Sequence, residues 1–123
     1  MSHSSKFMEI VNASKKNIKE LDVTDLKKKF DDNHVMHLID TREDNEWAKG
    51  YILGATHLGK GVLERDIEGL VPNAGDEIIL YCGGGYRSAL AAEALQNMGY
   101  TNVYSMDGGY KAWKNADYPL GGI

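Results

Sequence analysis

The sequence predicts an α/β fold, a mainly parallel sheet with helices covering both faces. Short apolar, partly β-branched runs alternate with helical patterns at βαβ spacing along the 123 residues. The clearest unit is a strand pattern at 77–81, a glycine-rich turn from Cys82 to Tyr86, and a run of strong helix formers at 88–98 closed by Gly99. Two strand patterns end in chemistry-bearing residues, Asp40-Thr41-Arg42 and Cys82. Sheets of this class hold ligands at the carboxyl ends of their strands.

The elements follow in order. Phe7, Ile10, Val11 and Ser14 stand at helical spacing in a polar background, an amphipathic leader helix whose apolar side packs on its own domain. Met1 to Ser5 reads as a flexible start. Residues 18–21 alternate and form a short edge strand. Asp22 or Thr24 caps a helix over 24–30 with Leu26 and Phe30 inward, and Lys27, Lys28 and Lys29 make its solvated face. Residues 35–41 read as a buried strand, and 43–49 as a short helix with Trp47 turned to the core and Gly50 as its stop. A turn and a strand occupy 51–58. A helix over 62–70 places Leu63, Ile67 and Leu70 on one face. Pro72 to Gly75 is a turn, 102–106 a strand, and 110–116 a helix with Trp113 inward after Asp107-Gly108-Gly109. Tyr118-Pro119-Leu120 closes the domain. The organisation is a helical leader segment over 1–17 followed by one domain over 18–120.

Composition narrows the function classes. Hydrophobic residues at 42% and charged residues at 26% are ordinary for a globular domain with a single core. A net charge of −4 gives no basic footprint for nucleic acid. No apolar run approaches a membrane span, and the N-terminus lacks the apolar stretch of a signal peptide. One cysteine excludes an internal disulfide framework and fits a reducing, cytoplasmic setting. Four histidines without a CxxC or HExxH pattern give no dedicated metal site, and no cofactor motif is present. The glycines are not followed by Gly-Lys-Ser/Thr, and Ser88 stands where a dinucleotide fingerprint has its third glycine.

What remains is Cys82 at the end of a strand, ahead of a helix N-terminus. Such a terminus presents free N–H groups and a partial positive charge, and glycines let a loop curl its N–H groups inward as an anion nest. A thiolate at the centre of that nest is stabilised as a nucleophile. The ordinary alternative for a lone cysteine is an inert buried hydrophobe. Arg87 braces the loop or binds substrate. Ser88 is read as a helix cap, with a hydrogen bond to sulfur as the weaker alternative. Asp40 either holds loop amides or ends its strand. His57 reads as structural. Tyr86 lines the mouth or packs as a half-buried aromatic.

Together these residues resemble the rhodanese (thiosulfate sulfurtransferase) domain. Leu38-Ile39-Asp40-Thr41-Arg42-Glu43 is similar to its L-I-D-x-R-E motif, and Glu46, Gly50, Ile52, Gly54 and Ala55 to its E-x-x-x-G-H-I-P-G-A stretch. Cys82-Gly83-Gly84-Gly85-Tyr86-Arg87-Ser88 matches the C-x-x-G-x-R-S loop. The helix and strand from Ala91 to Val103, then Gly108-Gly109-x-x-x-Trp113 and Pro119, complete the series in order. Tyr51 and Leu53 replace the usual histidine and proline in a turn.

The resemblance implies a five-stranded parallel sheet and a sulfurtransferase. Cys82 would take sulfane sulfur from thiosulfate or a persulfide donor and pass it, through a Cys82 persulfide, to cyanide or a thiol. Gly83, Gly84, Gly85, Tyr86, Arg87 and Ser88 would form the active-site loop, with Asp40, Arg42 and Glu43 as its support, and the resemblance implies Asp40 or Glu43 as the acidic partner of Arg87. The alternatives are a relay module that delivers sulfur to a partner protein and, behind it, an oxyanion or redox enzyme on the same fold. Arg87 stands five positions after Cys82. The fold's phosphatase and arsenate-reductase relatives resemble a loop one residue longer, so the spacing favours sulfur over a tetrahedral oxyanion. Gly83, Gly84 and Tyr86 bring no cation to the loop, which implies modest thiosulfate affinity and leaves persulfides as better donors.

Overall fold

The computed structural model describes residues 3–123, so the reading of Met1 and Ser2 lies outside the described residues. In chain order the elements are α1 (Ser5–Lys15), β1 (Lys19–Leu21), α2 (Val23–Asp31), β2 (His37–Asp40), α3 (Asp44–Trp47), β3 (Tyr51–Ile52) and β4 (Thr56–His57). A 3-10 turn (Lys60–Val62) leads into α4 (Leu63–Leu70), followed by β5 (Ile78–Tyr81), α5 (Arg87–Asn97), β6 (Val103–Met106), α6 (Gly109–Asn115) and β7 (Leu120–Gly121). Five strands form one parallel sheet in the order β1-β6-β5-β2-β4. β3 and β7 pair antiparallel as a separate ribbon. The α/β architecture expected from the sequence, a five-stranded parallel sheet with helices on both faces, is the one observed.

The central strand explains the layering. Ile78, Ile79, Leu80 and Tyr81 in β5 are all fully buried, because alternate side chains of a two-sided sheet both meet helices. Ile78 and Leu80 join Leu63 and Ile67 of α4 and Ala91, Ala92 and Leu95 of α5. Ile79 and Tyr81 join Leu26 of α2 and Trp113 of α6 on the opposite face. Burying each such large apolar side chain contributes roughly 1.5–3 kcal/mol.

Local chemistry sets the ends. Asp22 is the cap of α2: its Oδ1 accepts from the Asp25 amide at 2.9 Å, and Asp25 Oδ2 accepts from the Asp22 amide at 3.1 Å. Three expectations need correction. Val35 lies before β2 and is 91% exposed, since the neighbouring strand begins only at Ile78, opposite His37. Leu70 is partly exposed at the end of α4, where the chain leaves the helix and turns Val71 inward instead. Trp47 is half-buried rather than core. It stacks between Tyr51 at 3.8 Å and His57 at 5.0 Å, ring centroid to centroid.

α1 packs along α5 through Val11 and Ser14, both buried, while Ile10 faces outward. Glu93 of α5 accepts hydrogen bonds from Ser14 Oγ at 2.9 Å and Asn17 Nδ2 at 2.8 Å, which fixes the register of the two helices. Among the described residues no helix is long and apolar enough to cross a membrane, and no cluster of metal-ligating side chains occurs.

Candidate active site

Register brings the two chemistry-bearing loops together. Asp40 pairs with Tyr81 across β2 and β5, so Thr41 and Cys82 leave the sheet side by side at its carboxyl edge. The Thr41 amide and hydroxyl both donate to the Tyr81 carbonyl, at 2.8 and 2.9 Å, and tie the loops at their roots.

The Cys82 loop owes its shape to α6. The Cys82 carbonyl accepts from the Tyr110 amide at 2.8 Å and the Gly83 carbonyl from the Lys111 amide at 3.1 Å. With these carbonyls drawn to the first turn of α6, the loop turns an amide to its inside. The Gly85 N–H donates to Cys82 Sγ at 3.1 Å. Gly85 has φ +100, and a Cβ there would meet Met106 O, Asp107 Cα and Gly108 N at 3.2 Å. Gly109 has φ +57, and its Cβ would lie 2.4 Å from the Cys82 carbonyl oxygen. Both positions accept only glycine without movement of backbone.

Cys82 is 1% exposed and lines a cavity at the loop. Its sulfur sits at the N-terminal end of α5, where the helix dipole favours negative charge. Ser88 Oγ lies 3.6 Å from Sγ and 2.8 Å from Ser105 Oγ, all three residues being buried. Ser88 is therefore not a cap, since α5 starts one residue earlier and its hydroxyl is turned under the sulfur. Ser88→Ala leaves the Ser105 hydroxyl without this partner and costs about 1–2 kcal/mol. Chemical denaturation checks that figure, and slower alkylation of Cys82 accompanies it.

The acidic partner of Arg87 is Glu46, not Asp40 or Glu43. Arg87 donates from both terminal nitrogens to the two Glu46 oxygens, at 2.7 and 3.1 Å. The Glu43 side chain is exposed, and its amide donates to Glu46 Oε1 at 3.1 Å, so Glu43 serves the loop through Glu46, its charge adding to the field at Arg87. Asp40 instead takes the Arg42 amide at 2.9 Å and its guanidinium at 2.8 to 3.1 Å, with both side chains buried. Arg42 further donates to the Gly50 carbonyl at 2.7 Å and lies 4.1 Å from the Tyr110 ring centroid. Burial opposes the Arg42 charge most strongly, yet the Asp40 hydrogen bonds together with the charges of Asp40, Tyr81 and Glu46 outweigh it and raise its pKa. Burial, with the Asp40 charge behind it, pushes the Tyr81 phenol up. Asp40 and Arg42 thus hold the loop after β2, whose neighbour carries the site. His57 Nε2 lies 2.8 Å from the Arg42 carbonyl and the ring stacks on Trp47, a structural placement.

The Arg87 hydrogen bonds hold the Glu46 carboxyl below its ordinary range. A carboxyl lowered on folding adds stability that is complete above its unfolded value, near ~4.3, and is lost as the pH falls through the folded value. Glu46→Gln is expected to flatten the acid side of the stability profile. It also lowers turnover several-fold at neutral pH by loosening Arg87. Denaturation midpoints between about pH 3 and pH 7 give the profile.

The loop opens into a cavity of about 720 Å³ lined by His3, Phe7, Cys82, Gly83, Gly84, Tyr86, Arg87, Gly108 and Lys111. Sequence reasoning missed His3, Phe7 and Lys111 as lining residues. Glu46 already stood in the matched E-x-x-x-G stretch, which could have marked it as the partner of Arg87.

Comparison with known proteins places these features in context. The profile described as rhodanese-like domain matches residues 22–116. The Bacillus subtilis (strain 168) protein YtwF, named a sulfurtransferase, is 33% identical over 102 residues, 83% of this chain and 96% of that protein. YrkF of the same organism, named a sulfur carrier protein, is 32% identical over 102 residues. The match takes in 83% of this chain, which spans only about half of that relative, 53%. Among solved structures, RPA3614 of Rhodopseudomonas palustris CGA009 superposes with a TM-score of 0.83 at 27% identity, covering 98% of this chain and 97% of that one. It is described as a protein of unknown function and possible tyrosine phosphatase.

Proposed function

This chain belongs to the rhodanese-like domain family, whose relatives here carry sulfurtransferase and sulfur-carrier names, and on that premise we propose that it moves sulfane sulfur through a persulfide on Cys82. The catalytic unit is the stretch 18–120, to which the 1–17 leader adds a helix. In the first half-reaction the Cys82 thiolate attacks the outer sulfur of thiosulfate. A new S–S bond forms, the S–S bond of thiosulfate breaks, and its electron pair leaves on sulfite. In the second, cyanide or a thiol takes the outer sulfur and Cys82 returns as thiolate. Charge stays balanced in the loading step, and no cofactor is needed. This chemistry suits the cytoplasm, where a lone thiol stays reduced.

The observation that carries the reading is the Gly85 N–H aimed at Cys82 Sγ at 3.1 Å from a loop whose carbonyls are drawn away to α6. An amide so placed stabilises charge that develops on sulfur, as an oxyanion hole does for oxygen. Gly83, Gly84, Gly85, Tyr86 and Arg87 frame this nest, with Ser88 beneath it. Phosphate-ester hydrolysis is the competing reading, raised by the description of RPA3614. Here Arg87 commits both terminal nitrogens to Glu46, which leaves it a brace rather than a ligand for a tetrahedral oxyanion.

Steady-state kinetics test the choice. With thiosulfate and cyanide varied together, parallel double-reciprocal lines are expected for two half-reactions. Cys82-dependent hydrolysis of an aryl phosphate, with no thiocyanate formed, would reverse the assignment. Faster discharge to a carrier protein than to cyanide or glutathione would select the relay form of the same chemistry.

A further inference from the structure

The mouth of the Cys82 cavity is built partly from elements that the family match leaves out. His3 and Phe7 precede residue 22, where that match begins. The Ser4 side chain accepts from the Phe7 amide at 3.3 Å and starts α1, which brings both aromatic rings to the loop. The His3 ring packs edge-on against Tyr86 at 4.7 Å and lies 5.3 Å from Phe7. Lys15 steadies this wall from the other end of α1. Its Nζ stands 5.4 Å from the Tyr86 ring centroid, 3.4 Å from Glu20 and 3.5 Å from Asp107.

Lys111 lines the same cavity from α6. Its amide is anchored on the Gly83 carbonyl, which fixes its backbone beside the loop, and its exposed side chain is free to meet a ligand there. Lys15 is held by carboxylates and Arg87 by Glu46, whereas Lys111 has no carboxylate within 4.0 Å among the described residues. The loop's own cation, Arg87, is engaged by Glu46, so a cation without a carboxylate partner comes to this cavity from Lys111, 29 residues along the chain from Cys82. A cavity of about 720 Å³ is sized for an organic ligand, and a small inorganic dianion would leave most of it empty.

We propose that the aromatic wall of His3, Phe7 and Tyr86, together with the ammonium of Lys111, selects a small organic persulfide bearing an anionic group as the sulfur donor. The proposal rests on the sulfur-transfer reading and names its substrate class. The apolar body of the donor lies along the wall, its carboxylate approaches Lys111, and its outer sulfur reaches Cys82. The thiolate attacks that sulfur, the donor S–S bond breaks, and the electron pair leaves on the donor thiolate. The proton carried by the donor persulfide passes to that leaving thiolate. Sulfane sulfur moves with no net oxidation or reduction.

The test compares three donors: glutathione persulfide, which is anionic, cysteamine persulfide, which is cationic, and thiosulfate. Single-turnover loading of Cys82 is followed by intact mass. For the wild type, kcat/KM is expected to be highest with glutathione persulfide. In Lys111→Met and Lys111→Gln, the ratio of glutathione persulfide to cysteamine persulfide falls at least about fivefold. In Phe7→Ala and Phe7→Leu, the ratio of glutathione persulfide to thiosulfate falls by a similar factor, with thermal melts confirming the fold. Unchanged ratios in variants that still load sulfur overturn the selectivity proposal alone. A wild type that loads from none of the three donors overturns the sulfur-transfer reading beneath it.

Discussion

Cys82→Ser is expected to abolish sulfur transfer, lowering turnover with thiosulfate and cyanide by on the order of 10⁴-fold or to background. Serine preserves the shape of the side chain and accepts the Gly85 N–H as sulfur does, so the loop is expected to keep its fold. What is lost is the nucleophile: a hydroxyl at neutral pH carries almost no anion and forms no persulfide. The thermal midpoint therefore shifts little while activity disappears. Thiocyanate release at matched protein concentrations, with a melt of each sample, measures both. Residual turnover within tenfold of wild type would remove Cys82 from the mechanism.

The second large effect comes from a residue without a side chain. Gly109→Ala puts a Cβ 2.4 Å from the Cys82 carbonyl oxygen and 2.8 Å from the Gly83 carbonyl atoms, at φ +57. Backbone lies on both sides of the clash, so no side-chain rotation relieves it. Strain and overpacking together cost about 3 kcal/mol. The larger consequence falls on the loop. Pushing α6 away weakens the Tyr110 and Lys111 amide bonds that hold the two loop carbonyls. The Gly85 N–H then loses its aim, and turnover is expected to fall at least about tenfold in protein that remains folded. Gly69 supplies the control. It lies in α4 with open space where a Cβ would go, so Gly69→Ala is expected to stabilise by about 0.5–1 kcal/mol and leave turnover unchanged. Equal effects at the two glycines would show that the loop does not depend on its contact with α6.

The βαβ order was legible because its signals are local. Apolar runs, a glycine past Asn97 and caps such as Asp22 act within a few residues, and the sheet edge that carries Cys82 follows from them. Partner choice was not legible in the same way. Asp40, Glu43 and Glu46 all lie within one short stretch, and only the direction in which α3 leaves β2 turns Glu46 to Arg87. Ser88 had the composition of a cap, but α5 begins at Arg87 and carries the hydroxyl under the sulfur toward Ser105 on β6. Trp47 reads as core by size, yet α3 is one turn long and leaves it half-buried, stacked between Tyr51 and His57. His3, Phe7 and Lys111 reach the mouth from elements far apart in the chain, and periodicity carries no information about such convergence.

The proposed chemistry requires an inward amide and a helix terminus to stabilise one added sulfur on one thiolate. Intact mass of the protein after incubation with thiosulfate, followed by cyanide, tests it most directly. The expected result is the gain of a single sulfur atom, mapped to Cys82, and its complete removal by cyanide with return of the starting mass. A protein that gains no sulfur from thiosulfate or from a persulfide, or that carries the added sulfur without releasing it to cyanide or a thiol, would contradict it.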